Sequence, residues 1–259
     1  MVFRRFRRDE QEADWLGRGY RTSDELDHYP DQDEPEDDDG GLDEDDSDHA
    51  PEPAGWDVTG SGPWDGAGSY PPGQRVDLGS LLVPVRDGLD VRIVLADAAT
   101  PVWVDVVSGD MLSGGSILQL QAFAAPKTRG LWDERRQEVA EEVAAAGGHS
   151  EEVTGPYGTE LQAMVVVGTA GGQPQLEPRR IMGVDGPRWL LRGIIMGPAA
   201  SRPELARPLE QLFADIVVVR GDHAAPPGEL LPIQIPEDTR RALAETMEQA
   251  QQQAGPPFQ

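Results

Sequence analysis

From Thr22 to Gln74 the chain has no lysine or arginine, while 18 aspartates and glutamates accumulate, densest in DQDEPEDDDGGLDEDDSD from Asp31 to Asp48. Like charges at that density repel one another, and too few aliphatic residues are present to drive collapse. A core must therefore be built from the rest. Of the net charge of −25 over 259 residues, residues 1–74 contribute 22 carboxylates against six arginines. The expected organisation is a long disordered acidic arm over 1–74, a single domain over 75–236 and a tail over 237–259 with a possible short helix.

The arm is not uniform. Arg4, Arg5, Arg7 and Arg8 alternate with Phe3 and Phe6 as a basic cap, whose charge could fold it back on the acidic run. Trp56 and Trp64 interrupt the low-complexity sequence near the arm's end, each followed by Asp. Burying one such ring contributes about 1.5–3 kcal/mol, so both are expected to dock, on their own domain ahead of a partner.

Within the domain, LDVRIVL (Leu89 to Leu95) and VWVDVV (Val102 to Val107) are β-branched runs either side of a turn and predict a hairpin. ILQLQAF adds a third strand in which Leu118, Leu120 and Ala122 share a face, with Gln119 and Gln121 on a wet one. Leu131 to Ala146 predicts an amphipathic helix, with Asp133 and Glu134 in its first turn and Gly147-Gly148 beyond its end. Further strands are expected from Glu160 (ELQAMVVV), Arg180 (RIMGV) and Arg188 (RWLLRGIIM), the last two joined by a turn at Asp185-Gly186. A second helix starts at Glu204, Val217 to Val219 either end that helix or form a strand, and ELLPIQIP reads as an edge strand. The predicted class is α+β: an antiparallel sheet covered by two main helices.

Chemical motifs are sparse. The chain has no cysteine, and its four histidines, His28, His49, His149 and His223, have no metal-ligand spacing. DEDDSDHAPE lacks the glycine and terminal glutamate of a calcium loop. GSGPWDGAG and GTAGGQP lack the lysine and hydroxyl of a phosphate-binding loop and read as flexible connections, and Glu151-Glu152 falls in an expected loop. No cofactor or metal is expected. The acidic balance argues against duplex nucleic acid, and no run reaches the roughly 18 apolar residues of a membrane span. A soluble, cytoplasmic protein with an unknown protein partner is expected.

What remains is an arginine and tryptophan cluster. Its candidate binding residues are Lys127, Trp132, Arg179, Arg188, Trp189 and Arg192, with Arg180 beside them. Alternation places Arg188 and Arg192 on one strand face, suited to an acidic segment or a small anion. The competing reading is that these arginines pair with Asp185, Glu160 and other acids of the domain.

Five spaced segments, VDLGSLLVP, ILQLQAFAAPKTRGLWDERRQEV, GPYGTEL, GVDGPRWLLRG and DIVVVRG, follow one another between Arg75 and Pro236. In these the chain resembles an actinobacterial family catalogued as domain of unknown function 3710, which brings no catalytic residues to carry over. The order of elements is also similar to Mog1/PsbP-like domains, a likeness that implies partner binding or a chaperone-like role. The leading expectation is a non-enzymatic protein-interaction module regulated by its acidic arm. The alternative is a binder or enzyme acting on a small anionic ligand through an Arg/Lys-lined pocket.

Overall fold

The computed structural model describes residues 4–5, 62–96, 100–111, 114–127, 130–222, 224–237 and 240–241. The acidic run, Trp56, Phe3, Phe6, Arg7, Arg8, His28, His49, His223 and nearly all of the C-terminal tail lie outside them.

Among the described residues twelve strands form two sheets. They are β1 (Arg4–Arg5), β2 (Trp64–Asp65), β3 (Arg75–Asp77), β4 (Leu81–Pro84), β5 (Leu89–Leu95), β6 (Pro101–Ser108), β7 (Ser116–Ala124), β8 (His149–Gly155), β9 (Gly158–Ala170), β10 (Gln173–Gly186), β11 (Trp189–Met196) and β12 (Val217–Val218). The large sheet runs β1-β5-β6-β7-β11-β10-β9-β8 and the small one β2-β12-β4-β3. All pairings are antiparallel except β1 with β5 and β2 with β12, which are parallel. The α-helices described in full are α1 (Trp132–Ala145) and α2 (Pro203–Ala214), the latter preceded by a 3-10 turn at Gly197–Ala200.

The expected α+β sheet covered by two main helices is thus corrected. Strand accounts for 47% and helix for 20% of the described residues, and a second sheet shares the covering role. The small sheet escapes a periodicity reading because its strands are only two to four residues long and come from distant parts of the chain. On one face of the large sheet, Val104, Leu118, Leu120, Trp189, Leu191 and Ile195 form a single core with Leu81, Val83 and Val218 of the small sheet and Leu209, Leu212 and Phe213 of α2. On the other face Phe123, Leu161, Ile181, Leu190 and Ile194 meet Trp132, Val139 and Val143 of α1.

This two-sided covering corrects the wet face expected for β7. Gln119 and Gln121 are 1% and 2% exposed, because β7 is a central strand and both of its faces are covered. Other expectations shift similarly. Glu151 and Glu152 belong to strand β8 instead of a loop. Gly171-Gly172 of GTAGGQP is a tight hairpin turn, both residues at positive φ, the conformation of a type I′ turn matched to strand twist. The β10–β11 turn is Pro187-Arg188, two residues later than expected, and Gly186 pairs with Trp189 across it. The segment ELLPIQIP makes isolated bridges at Leu230 and Ile233 instead of a strand. Where β6 departs, Leu231 N donates to Ala122 O (2.8 Å) and Ala124 N to Glu229 O (2.8 Å), so this segment continues the ladder along β7.

Trp64 lies in the stretch assigned to the arm, yet its backbone is part of the small sheet. Its N–H donates to Ile216 O (2.8 Å), and its strand lies beside Val217 and Val218. The ring is half-buried.

Candidate functional site

The large sheet positions the candidate residues by parity along each strand. Trp189 and Leu191 point to the core shared with α2, whereas Leu190, Arg192 and Ile194 point to the α1 face. Both tryptophans are structural. Trp189 is completely buried. Trp132 opens α1 with its ring against Gly183, where any Cβ would collide with the indole, and its Nε1 donates to Thr159 O (2.8 Å).

α1 lacks an N-cap of its own, since Leu131 supplies no side-chain acceptor. The cap comes from β10. Asp185 Oδ1 accepts from Leu131 N (2.7 Å), and both carboxylate oxygens lie within reach of Trp132 N (3.2 and 3.1 Å). A carboxylate at the positive end of the helix satisfies the free N–H groups there. Burial nonetheless pushes the Asp185 carboxyl above the usual carboxylate range, opposed by these backbone bonds. The anion-binding end of α1 is therefore already occupied by the chain's own acid.

The arginines separate into paired and unpaired sets. Arg179 is buried in β10, its Nη1 on Glu177 Oε2 (2.9 Å) and Pro178 O (3.1 Å). Arg180, on the opposite face, grips Glu160 through Nε (2.9 Å) and Nη2 (3.1 Å) and reaches Glu210 of α2 through Nη1 (2.8 Å). Glu160 is only 3% exposed, so this triad is a buried, fully charge-assisted tie between β9, β10 and α2. Burial works against the Arg180 charge, but the two carboxylates outweigh it and hold its pKa above the ordinary arginine value. Tyr157 closes this region: its hydroxyl donates to Glu210 O (2.5 Å) and its ring centroid is 5.1 Å from that of Phe213. Burial, with Glu210 and Asp215 adding to it, raises the phenol to about 12.

Arg192 is half-buried on the α1 face. Its Nη2 donates to Gln121 Oε1 and its guanidinium is 5.0 Å from the Phe123 ring centroid. Arg135 approaches the same ring at 5.8 Å and donates to Gly228 O (3.1 Å). This two-arginine contact on Phe123 was not foreseen, because it joins β7, β11 and α1 across long sequence gaps and carries no motif.

Arg188 does not share a strand face with Arg192. It occupies the hairpin turn, exposed, at φ 65°, and is the only non-glycine residue at positive φ among those described. Pro187 supplies the fixed φ of a first turn position, but the second position favours glycine and here holds arginine. The turn is fastened to the loop after β7, since Ala125 N donates to Arg188 O (2.9 Å). Two residues beyond Ala125 lies Lys127, also exposed. Among the described residues neither Lys127 nor Arg188 has an ion pair or side-chain hydrogen bond. Of the six candidates, then, the fold brings Lys127 and Arg188 to one end of the sheet. It sets Arg179 at the far end of the β10–β11 pairing, opposite Met196, and buries the two tryptophans on opposite faces. They do not converge on one pocket.

A model of the family described as "Protein of unknown function (DUF3710)" matches residues 62–242. The chain belongs to this family. The match begins at the cis Gly62-Pro63 bond and includes β2, so the family unit starts ahead of Arg75. No curated protein and no solved structure matches the chain. Among the described residues no helix is long and apolar enough to cross a membrane.

Proposed function

We propose that the chain is a non-enzymatic protein-interaction module that docks an acidic, extended protein segment at the sheet end bearing Lys127 and Arg188. Its own acidic stretch, Asp31 to Asp48, regulates access to that end by competition. The observation that carries this reading is the contrast among cations. Arg136, Arg179 and Arg180 are committed to carboxylates of the domain, while Lys127 and Arg188 have no ion pair among the described residues of a chain whose net charge is −25. An unpaired, exposed cation in a strongly acidic protein gains by meeting a carboxylate, and such rim charges set encounter rate and salt dependence. The backbone strain at Arg188 supports the same site, since strained positions persist where they serve a task. A cytoplasmic, actinobacterial setting belongs to the same reading.

The test is binding of a labelled polyglutamate peptide to three full-length proteins: the wild type, a Lys127→Ala/Arg188→Ala variant, and a variant with the acids of 31–48 changed to Ser and Gln. The charge-neutralised arm should bind more tightly than wild type, and the double alanine variant should lose binding. Equal capture by all three would reject the site and the regulation together.

A further inference from the structure

The two flanks of the large sheet end differently. At one, β1 pairs with β5. At the other, β8 is the last strand, and among the described residues nothing pairs with its outer side. β8 (His149–Gly155) is seven residues long and pairs with β9 along its whole length without a register shift. The devices that keep a bare edge from pairing are short length, bulges, proline and charge. β8 has only the last, and its charges, Glu151 and Glu152, are both acidic.

The turn fixes which backbone groups face outward. Gly155 and Gly158 flank the two-residue turn Pro156-Tyr157 and pair with each other, and residues flanking such a turn form a hydrogen-bonded pair. Alternation then gives Gly155, Val153, Glu151 and His149 to the β9 ladder and turns the N–H and C=O of Ser150, Glu152 and Thr154 outward. Side chains divide by the same parity. Ser150 and Glu152 lie on the α1 face, opposite Ala163 and Leu161, and Glu152 Oε1 accepts from Arg136 Nε (2.9 Å). Glu151 and Val153 lie on the other face, opposite Gln162 and Glu160. Glu151 is exposed and has no ion pair among the described residues.

Charge selects the occupant of this edge. Asp133, Glu151, Glu152, Glu160 and Glu210 outnumber Arg136 and Arg180 around it. Pairing β8 over its full length with β8 of a second copy sets Glu152 opposite Glu152, and like charges directly opposite are destabilising. The net charge of −25 on each chain adds to that repulsion. A strand with a base opposite Glu151 and a β-branched residue opposite Val153 meets neither cost. We infer that the outer edge of β8 is a strand-addition site for an extended basic segment of a partner protein. The main chain of Ser150, Glu152 and Thr154 supplies affinity, and Glu151 selects the base. This site shares no residue with Lys127 and Arg188 and takes a ligand of the opposite charge.

Hydrogen exchange on the full-length protein tests the site, with the peptides RTVTRTV and ETVTETV as probes. Laid antiparallel on β8, each peptide puts its third residue opposite Val153 and its fifth opposite Glu151. RTVTRTV should slow exchange at the Ser150, Glu152 and Thr154 amides about tenfold or more, and ETVTETV should leave it unchanged. Ser150→Pro/Thr154→Pro removes two outward donors where an edge strand tolerates proline, and should lose the peptide. Glu151→Arg, an exposed change outside the core, should reverse the preference between the two peptides. Unchanged exchange at the three amides, or no reversal in the Glu151→Arg variant, would overturn the proposal. Equal binding of RTVTRTV by the proline variant would place the peptide on the acidic stretch from Asp31 to Asp48 and overturn it too. Protection of the three amides in a peptide-free dimer would assign the edge to a second copy, with the same result.

Discussion

Arginine in the left-handed region costs about 1–2 kcal/mol relative to a relaxed backbone, and glycine there costs nothing sterically but loses more entropy on folding. Arg188→Gly is therefore expected to raise the unfolding free energy by about 0.5–1 kcal/mol in denaturant titration while weakening capture of acidic peptide. A substitution that stabilises and disables together would mark Arg188 as retained for binding. Tyr157 gives a second expectation. Its phenol stays protonated in the folded chain to about 12, whereas an unfolded tyrosine ionises near about 10. The unfolded state thus releases its proton first, and stability falls as pH rises through that interval. Tyr157→Phe loses the bond to Glu210 O, about 1 kcal/mol, but also loses this pH dependence. Its deficit against wild type should shrink between about pH 10 and pH 12, as read by urea unfolding. Asp185 follows the same sign: an acid raised by burial holds its proton longer in the folded state, so its contribution declines as pH rises just above the ordinary carboxylate range. Asp185→Asn, which keeps an acceptor for Leu131 N, should flatten that slope and destabilise less than Asp185→Ala.

At the scale of elements, the seating of α1 depends on Gly183, because a methyl there would enter the Trp132 ring. Gly183→Ala should cost about 1–3 kcal/mol and release the helix from the sheet, visible as lost near-ultraviolet tryptophan dichroism. The same elements explain what could be read in advance. β5, β6, β7 and both helices were legible because their apolar residues are dense and bounded by turn signals. β8 was not, since HSEEVTG is polar and lies at the sheet's other flank, where burial imposes little pattern. The first half of β10 was hidden by Pro174 and Pro178, which normally argue against a strand but sit here in the exposed start of a long hairpin. The candidate site suffered from one displaced turn. Placing it at Asp185-Gly186 put Arg188 in a strand, and a shift of two residues moved it to the tip. The pairing of Arg180 with Glu160 was within reach of the sequence as the competing reading. The capping role of Asp185 was not, because its partners lie 53 and 54 residues away.

For the molecule as a whole, Phe213 sits where α2, Tyr157 and the close approach of Gly193 meet in the shared core. Phe213→Ala should cost about 3–5 kcal/mol and lower one common transition for both sheets, followed by far- and near-ultraviolet dichroism together. Separate transitions would show that the sheets fold independently. The order of the small sheet also bears on how the protein is made. β12 lies between β2 and β4, so a strand from residue 217 onward separates two that leave the ribosome more than 130 residues earlier. Pairing across such separations is slow, because chain closure precedes any gain in contacts. Until Val217 and Val218 emerge, Trp64 and Leu81 have no central strand to join. The nascent chain must therefore carry their apolar surface uncovered through most of its synthesis.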